Sequence, residues 1–213
     1  MPDNALPSAI ICLPFVASVV VLLLRGRGRG HNLAAWLMTA TALLGLLLCL
    51  WLYPAIAAGH VLRQVIPWVP GLGLDLVFRV DGFSWLFMLL ICGIGTLVGV
   101  YARYYMSPDD PLARFFALLL AFMGSMLGIV MSGNVIQLVF FWEMTSLFSF
   151  LLIGYWHRGA SARDGTRMAL IVTSGGGLCL FAGVLLLGHI VGSYELDAIL
   201  AAGALVRAHA LYT

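Results

Sequence analysis

Runs of predominantly apolar residues, each about 20 long, recur along the whole 213-residue chain, and each is long enough to cross a hydrocarbon core of roughly 30 Å. Six such spans are read at about 5–24, 33–53, 83–105, 112–131, 134–156 and 168–191. A spanning segment has no water to bond its backbone and must satisfy its own N–H and C=O groups, so helices are expected. Residues 1–213 therefore read as a single all-α membrane domain, a polytopic bundle of about six transmembrane helices. With 62% hydrophobic and 9% charged residues and a mean hydropathy of +1.05, the chain carries far more apolar surface than one water-soluble core can hide. Residues 1–24 differ from a cleaved leader: the basic cluster follows the apolar run and no A-x-A-like site precedes it, so a retained first span is expected.

Charge placement sets the expected orientation. All eleven basic side chains are arginines, with no lysine. Arg25, Arg27 and Arg29 follow the first span, Arg103 and Arg114 flank the loop after the third, and Arg158, Arg163 and Arg167 lie after the fifth. These eight fall on one side, against Arg63, Arg79 and Arg207 on the other, which predicts an outside N-terminus and cytoplasmic basic loops. Such arginines anchor lipid headgroups at span ends and do not form a nucleic-acid surface. Cys12, Cys49, Cys92 and Cys179 stand singly in apolar runs, without CxxC or Cys/His spacing, so they read as small buried hydrophobes and no metal or cofactor is implied.

Residues 54–80 form the longest connection, with Pro54, Pro67, Pro70, Gly71 and Gly73. Leu72, Leu74, Leu76, Phe78 and Val80 alternate at strand period, which predicts an extracytoplasmic β-hairpin between helices 2 and 3, turning near Pro70-Gly71. After Gly192 the chain reads as a turn, a helix start and a short alanine-rich segment, and a longer polypeptide of which this is the N-terminal part is expected.

Eight of the nine acids fall in loops or at span edges, and Glu143 alone lies inside a span. Counted from Asn134 at about 1.5 Å per residue, it sits roughly 13–14 Å deep, near the bilayer midplane. An ionisable group there costs several kcal/mol unless it is protonated, paired or hydrated, so a functional role is its default reading. Desolvation raises such a carboxyl's pKa and a cation or water chain lowers it, which together poise it to load and release a proton. The bland alternative is a permanently protonated side chain bonding a neighbouring helix.

Ser146, three residues on, shares the Glu143 side of a helix and offers a supporting hydroxyl. His157, fourteen residues on, is a candidate for passing protons to the cytoplasm, although a histidine beside Arg158 is more commonly an interfacial residue. Thr173, Ser174 and Gly175-Gly176-Gly177 in the sixth span permit close helix approach or the wall of a hydrated cavity. Gly95 with Gly99, and Gly124 with Gly128, are small-xxx-small pairs of the helix-contact kind. Trp85, Tyr101, Tyr104, Tyr105, Tyr155 and Trp156 are placed at span ends as an aromatic belt.

The segment Phe140-Phe141-Trp142-Glu143-Met144-Thr145-Ser146, continuing into Ser149 to Trp156, resembles the fifth helix of the antiporter-like membrane subunits. That superfamily includes the A-type component of multisubunit Mrp-type (Pha-type) sodium or potassium/proton antiporters and the large proton-pumping subunits of NADH:quinone oxidoreductase. Asp81-Gly82-Phe83-Ser84, opening the third span, is similar as well. The resemblance implies two inverted five-helix repeats after three initial helices, and a fifth-helix glutamate, here Glu143, working with a lysine on a discontinuous seventh helix. No lysine is present in this chain. The oxidoreductase relatives carry an Arg and an Asp early in the sixth helix, where Ser174 and Gly177 stand here, and the triple glycine is similar to the A-type Mrp component.

The expectation is therefore a subunit of a secondary antiporter rather than an enzyme, exchanging Na⁺ or K⁺ for H⁺ in a bacterial plasma membrane. Its partners would be the other subunits of a hetero-oligomeric complex and membrane lipid, with no nucleic acid and no cofactor. A proton-translocating subunit of a redox complex and a non-conducting assembly scaffold are the alternatives.

Overall fold

The computed structural model describes residues 5–23, 29–69, 74–107, 111–156 and 160–209. The helices long and apolar enough to cross a membrane number six among these residues. They are α1 (Leu6–Leu23), α2 (Arg29–Ala57), α3 (Gly82–Tyr105), α4 (Leu112–Val130), α5 (Val135–Ile153) and α6 (Ala160–Val191). Between α2 and α3 stands an antiparallel hairpin of β1 (Leu62–Val69) and β2 (Leu74–Val80), and after α6 come two short helices, α7 (Leu196–Ala201) and α8 (Gly203–Ala208). The predicted hairpin turn at Pro70-Gly71, His157, Arg25, Arg27 and Arg158 lie outside the described residues.

Helix ends differ from the apolar runs in an instructive way. Helix α2 begins at Arg29 rather than 33 and α6 at Ala160 rather than 168. Hydropathy marks the part of a helix inside the hydrocarbon, while the helical ladder continues into polar residues beyond it. The caps are local: Asp81 accepts the Ser84 N–H at 2.8 Å to start α3, and Asn134 accepts the Ile136 N–H at 2.9 Å to start α5.

Helix α4 is the hub, packing on α1, α2, α3 and α5. Its glycines take aromatic rings from two directions: Gly124 lies against Phe15 of α1, and Gly128 against Phe141 of α5. Gly95 and Gly99 of α3 receive Met123 of α4 and Thr39 of α2. Without a hydrophobic drive between helices in lipid, such close van der Waals approach is what holds the bundle. Thr39 and Ser125 bond back to their own helices, to Ala35 O at 3.0 Å and Ala121 O at 2.9 Å, whereas Ser18 of α1 donates to Ala117 O of α4 at 2.7 Å. Trp85 donates from Nε1 to Cys49 O at 2.7 Å, tying α3 to α2.

Three residue placements depart from the sequence reading. Tyr155 is buried against Phe115 rather than standing in an interfacial belt. Of the four cysteines, Cys49 and Cys92 are buried as expected, but Cys12 and Cys179 are exposed on the outer surface of the bundle.

At one end of the bundle the hairpin continues as a hydrogen-bonded ladder. Arg79 N–H donates to Met131 O at 2.8 Å and Gly133 N–H to Val77 O at 2.7 Å, joining β2 to the α4–α5 turn. That turn is joined in its own right to the segment after α6, through Val135 N–H to Tyr194 O and Leu196 N–H to Gly133 O, both 2.9 Å. Ion pairs between Arg63 and Glu195 at 2.6 Å and between Arg79 and Asp197 at 2.9 Å run along the same ladder, with Asp81 a second partner of Arg79.

Candidate functional site

Glu143 lies in the middle of α5, and its side chain turns toward α6. The facing residue is Gly177: a Cβ built there would fall on the carboxyl, so only glycine leaves room for the group in this position. The Oε1 atom is buried and has no hydrogen-bond partner among the described residues. A buried polar atom in that condition costs about 1–3 kcal/mol, more when charged, and is an exception that calls for a cause.

Glu143 is one of the residues around a cavity of about 590 Å³ between α5, α6 and the hairpin. Its walls include Phe78, Phe141 and Phe181, and the lining residues besides Glu143 that carry a polar side-chain atom are Trp68 and Gln137. Gln137 is buried, and its Oε1 accepts the Val77 N–H of β2 at 2.8 Å. That bond fixes the orientation of the amide, because a backbone N–H needs an acceptor. The Nε2 atom is then the free end, and it too is buried without a partner. Sequence reasoning passed over Gln137. The available signal was an uncharged amide within a span, six residues before the acid.

Ser146 and Glu143 open on different spaces. The Ser146 hydroxyl donates to Trp142 O at 3.2 Å, a carbonyl that Thr145 also reaches at 2.7 Å. Ser146, Ser149, Thr173 and Gly176 line a second cavity of about 380 Å³, with Phe122 and Met126 of α4 also on its walls. The first cavity borders α5 from Ile136 to Glu143 and α6 from Gly177 to Phe181, and the second borders α5 from Trp142 to Ser149 and α6 at Thr173 and Gly176. Glu143 and the glycine triplet stand at the divide. Of the triplet, Gly177 meets the carboxyl, Gly176 borders the second cavity and Gly175 faces open space. Among the described residues no group of three or more His, Cys, Asp or Glu side chains is placed to hold a metal ion.

Known proteins share both the sequence and the fold. Residues 66–116 match the family described as NADH-ubiquinone oxidoreductase (complex I), chain 5 N-terminus, and residues 132–211 match NADH:quinone oxidoreductase/Mrp antiporter, TM. The A/B component of a probable K(+)/H(+) antiporter of Rhizobium meliloti (strain 1021) is 55% identical over 96% of this chain and 20% of its own length. The A component of a Na(+)/H(+) antiporter of Alkalihalophilus pseudofirmus is 43% identical over 68% of this chain and 18% of its own. In three dimensions a chain of the Mrp complex from Dietzia sp. DQ12-45-1b superposes with a TM-score of 0.83 at 28% identity, covering 97% of this chain and 22% of that one. The chain thus spans about a fifth of the length of the curated relatives it matches. With its spanning helices, hairpin and fifth-helix glutamate segment all in place, this chain is a multi-pass membrane protein that belongs to the antiporter-like family common to Mrp antiporters and NADH:quinone oxidoreductases.

Proposed function

We propose that this chain serves in a secondary cation/proton antiporter, as part of a component exchanging Na⁺ or K⁺ for H⁺, with Glu143 as its intramembrane proton relay. The observation that carries the reading is the Glu143 carboxyl itself, half-buried at mid-helix against Gly177, with its Oε1 atom buried and unpartnered. A structural carboxyl would be expected to spend both oxygens on neighbours. A relay needs an oxygen left for the incoming proton carrier.

The antiporter branch is supported by the names of the relatives, components of a K(+)/H(+) and of a Na(+)/H(+) antiporter, and by Gly177. The oxidoreductase members carry charged side chains at the positions of Ser174 and Gly177, whereas here α6 brings only backbone to the carboxyl. The lysine partner that the family likeness implies is not among the 213 residues and would come from outside them. This reading includes other subunits of a hetero-oligomeric complex, a bacterial plasma membrane, and an outside N-terminus that places the hairpin on the outer face.

The test is cation-dependent collapse of a respiration-driven pH gradient in everted vesicles, with the full assembly carrying Glu143 or Glu143→Gln at matched expression. Added Na⁺ or K⁺ is expected to dissipate the gradient with the wild type and not with the variant. A wild type indifferent to both cations favours the redox-pump branch, which the oxidoreductase family description also accommodates. A Glu143→Gln variant as active as the wild type removes the glutamate from the mechanism and leaves the scaffold reading.

A further inference from the structure

We propose that Tyr194 is a positioning residue for Glu143: its ring, seated in the Gly188 notch of α6, sets the height of α6 against α5 at which Gly177 meets the carboxyl. The inference rests on the relay reading of Glu143 and adds what holds that group in place.

The turn after α6 builds the contact. Gly192 adopts φ 76°, a left-handed conformation that glycine enters without strain, and its N–H donates to Gly188 O at 2.8 Å. The chain doubles back there, and Tyr194 lies over Gly188, six residues earlier: a Cβ built on Gly188 would fall on the Tyr194 ring. From the other side α5 holds the Tyr194 backbone, whose carbonyl accepts the Val135 N–H at 2.9 Å. Leu196 N–H to Gly133 O, and the ion pairs of Glu195 with Arg63 and of Asp197 with Arg79, keep the following residues from sliding. Tyr194 therefore joins the two helices of the seam, its backbone bonded to one and its ring seated on the other.

Gly177 and Gly188 are eleven residues apart, which at about 100° per residue is three full turns and about 20°, so both notches open on one face of α6. Val184 stands between them on that face and packs on Val135 and Val139 of α5. From Gly188 to Gly177 the helix α6 spans about 16.5 Å, and from Val135 to Glu143 the helix α5 spans about 12 Å. Helix geometry fixes both lengths. The Tyr194 joint fixes the quantity left over, the level at which the two helices are laid side by side. A slip of one residue's rise, about 1.5 Å, takes the Gly177 notch off the carboxyl, and a misplacement of that size is enough to cost a positioned group its function.

The experiment compares Tyr194→Ala, Gly188→Ala and Tyr194→Phe in the full assembly in reconstituted membranes. Two quantities are read: cation-dependent collapse of a pH gradient, and the infrared C=O band of protonated Glu143, assigned by its loss in Glu143→Gln. Tyr194→Ala empties the notch, and Gly188→Ala drives the ring from it. Both are expected to displace the band and to lower exchange roughly tenfold. Tyr194→Phe keeps the ring and is expected to match the wild type in both. Should Gly188→Ala fail to assemble, Tyr194→Ala carries the test alone. A band unmoved in Tyr194→Ala overturns the proposal whatever happens to transport, since activity lost with the carboxyl in place is the mark of a merely structural residue. A Tyr194→Phe variant that behaves like Tyr194→Ala overturns it too. Failure of the relay reading looks different: the band still answers to Tyr194→Ala, but neither that variant nor Glu143→Gln loses transport.

Discussion

Half of the residues of α4 are buried, among α1, α2, α3 and α5, whereas 11% of those in the spanning window of α6 are, and α6 rests mainly on α5. Polar groups divide the same way. In α4 the Ser125 hydroxyl is spent on its own helix, while across the α5–α6 seam Gln137 and Glu143 each keep an atom without a partner. The first region is consistent at every level, with small residues where rings arrive and no donor left over. The second departs from those rules at one place, and such departures mark sites of function rather than of fold. In this chain packing is close within the α1–α4 bundle and thin along the α5–α6 seam.

That contrast can be broken most sharply by matched truncations. Phe116, fully buried in α4, and Phe181, partly exposed in α6, are the same side chain in the two regions. Phe116→Ala is expected to cost about 3 kcal/mol, the low end of the range for a buried ring because lipid also accommodates an unfolded Phe. Phe181→Ala is expected to cost under about 1 kcal/mol. Thermal unfolding in detergent measures both, and equal losses would dissolve the distinction.

Gly177→Ala sharpens it from the functional side. The atom that the new methyl meets is the far end of a flexible side chain, so the helix pair can keep its packing while the carboxyl is pushed aside. The expected result is a change in unfolding temperature near the noise, together with a roughly tenfold or greater loss of transport from the misplaced group. A variant that unfolds early instead would place Gly177 with the packing glycines of α3 and α4.

The smallest effect concerns the joint between hairpin and α3. Burial raises the Asp81 pKa, but the Ser84 N–H and then Arg79 outweigh it and hold the carboxyl below its ordinary value. A group depressed in this way stabilises the fold above its unfolded pKa of about 3.9, and the contribution fades as pH falls through the lower folded value. Unfolding temperature should therefore drop below about pH 4 in the wild type, and by less in Asp81→Asn, which cannot titrate. Partial exposure and salt screening keep the difference modest.

Much of this was legible in the residues. Six apolar runs, the alternating hairpin stretch and a lone acid inside a span are patterns along one dimension, and the helices, strands and Glu143 lie where those patterns put them. What escaped depends on how two helices meet. The spacing of Ser146 from Glu143 placed them on one side of α5, but the hydroxyl bonds to Trp142 O and opens on another cavity. Gln137 and Gly177 became neighbours of the site only through the register of α5 against β2 and α6, which no single-helix period encodes. Tyr155 read as interfacial because aromatic residues at span ends usually are, and Phe115 on a different helix decided otherwise.

The ladder at the hairpin end has a mechanical corollary. It clamps the start of α5 to the segment following α6 through two backbone hydrogen bonds, while at the opposite ends only three residues of chain separate Trp156 from Ala160. A beam clamped at one end and tethered short at the other neither slides nor tilts freely against its neighbour; it bows at mid-span. Mid-span in α6 is Gly175-Gly176-Gly177, a run with no side chains to stiffen it, and Gly177 within it faces Glu143.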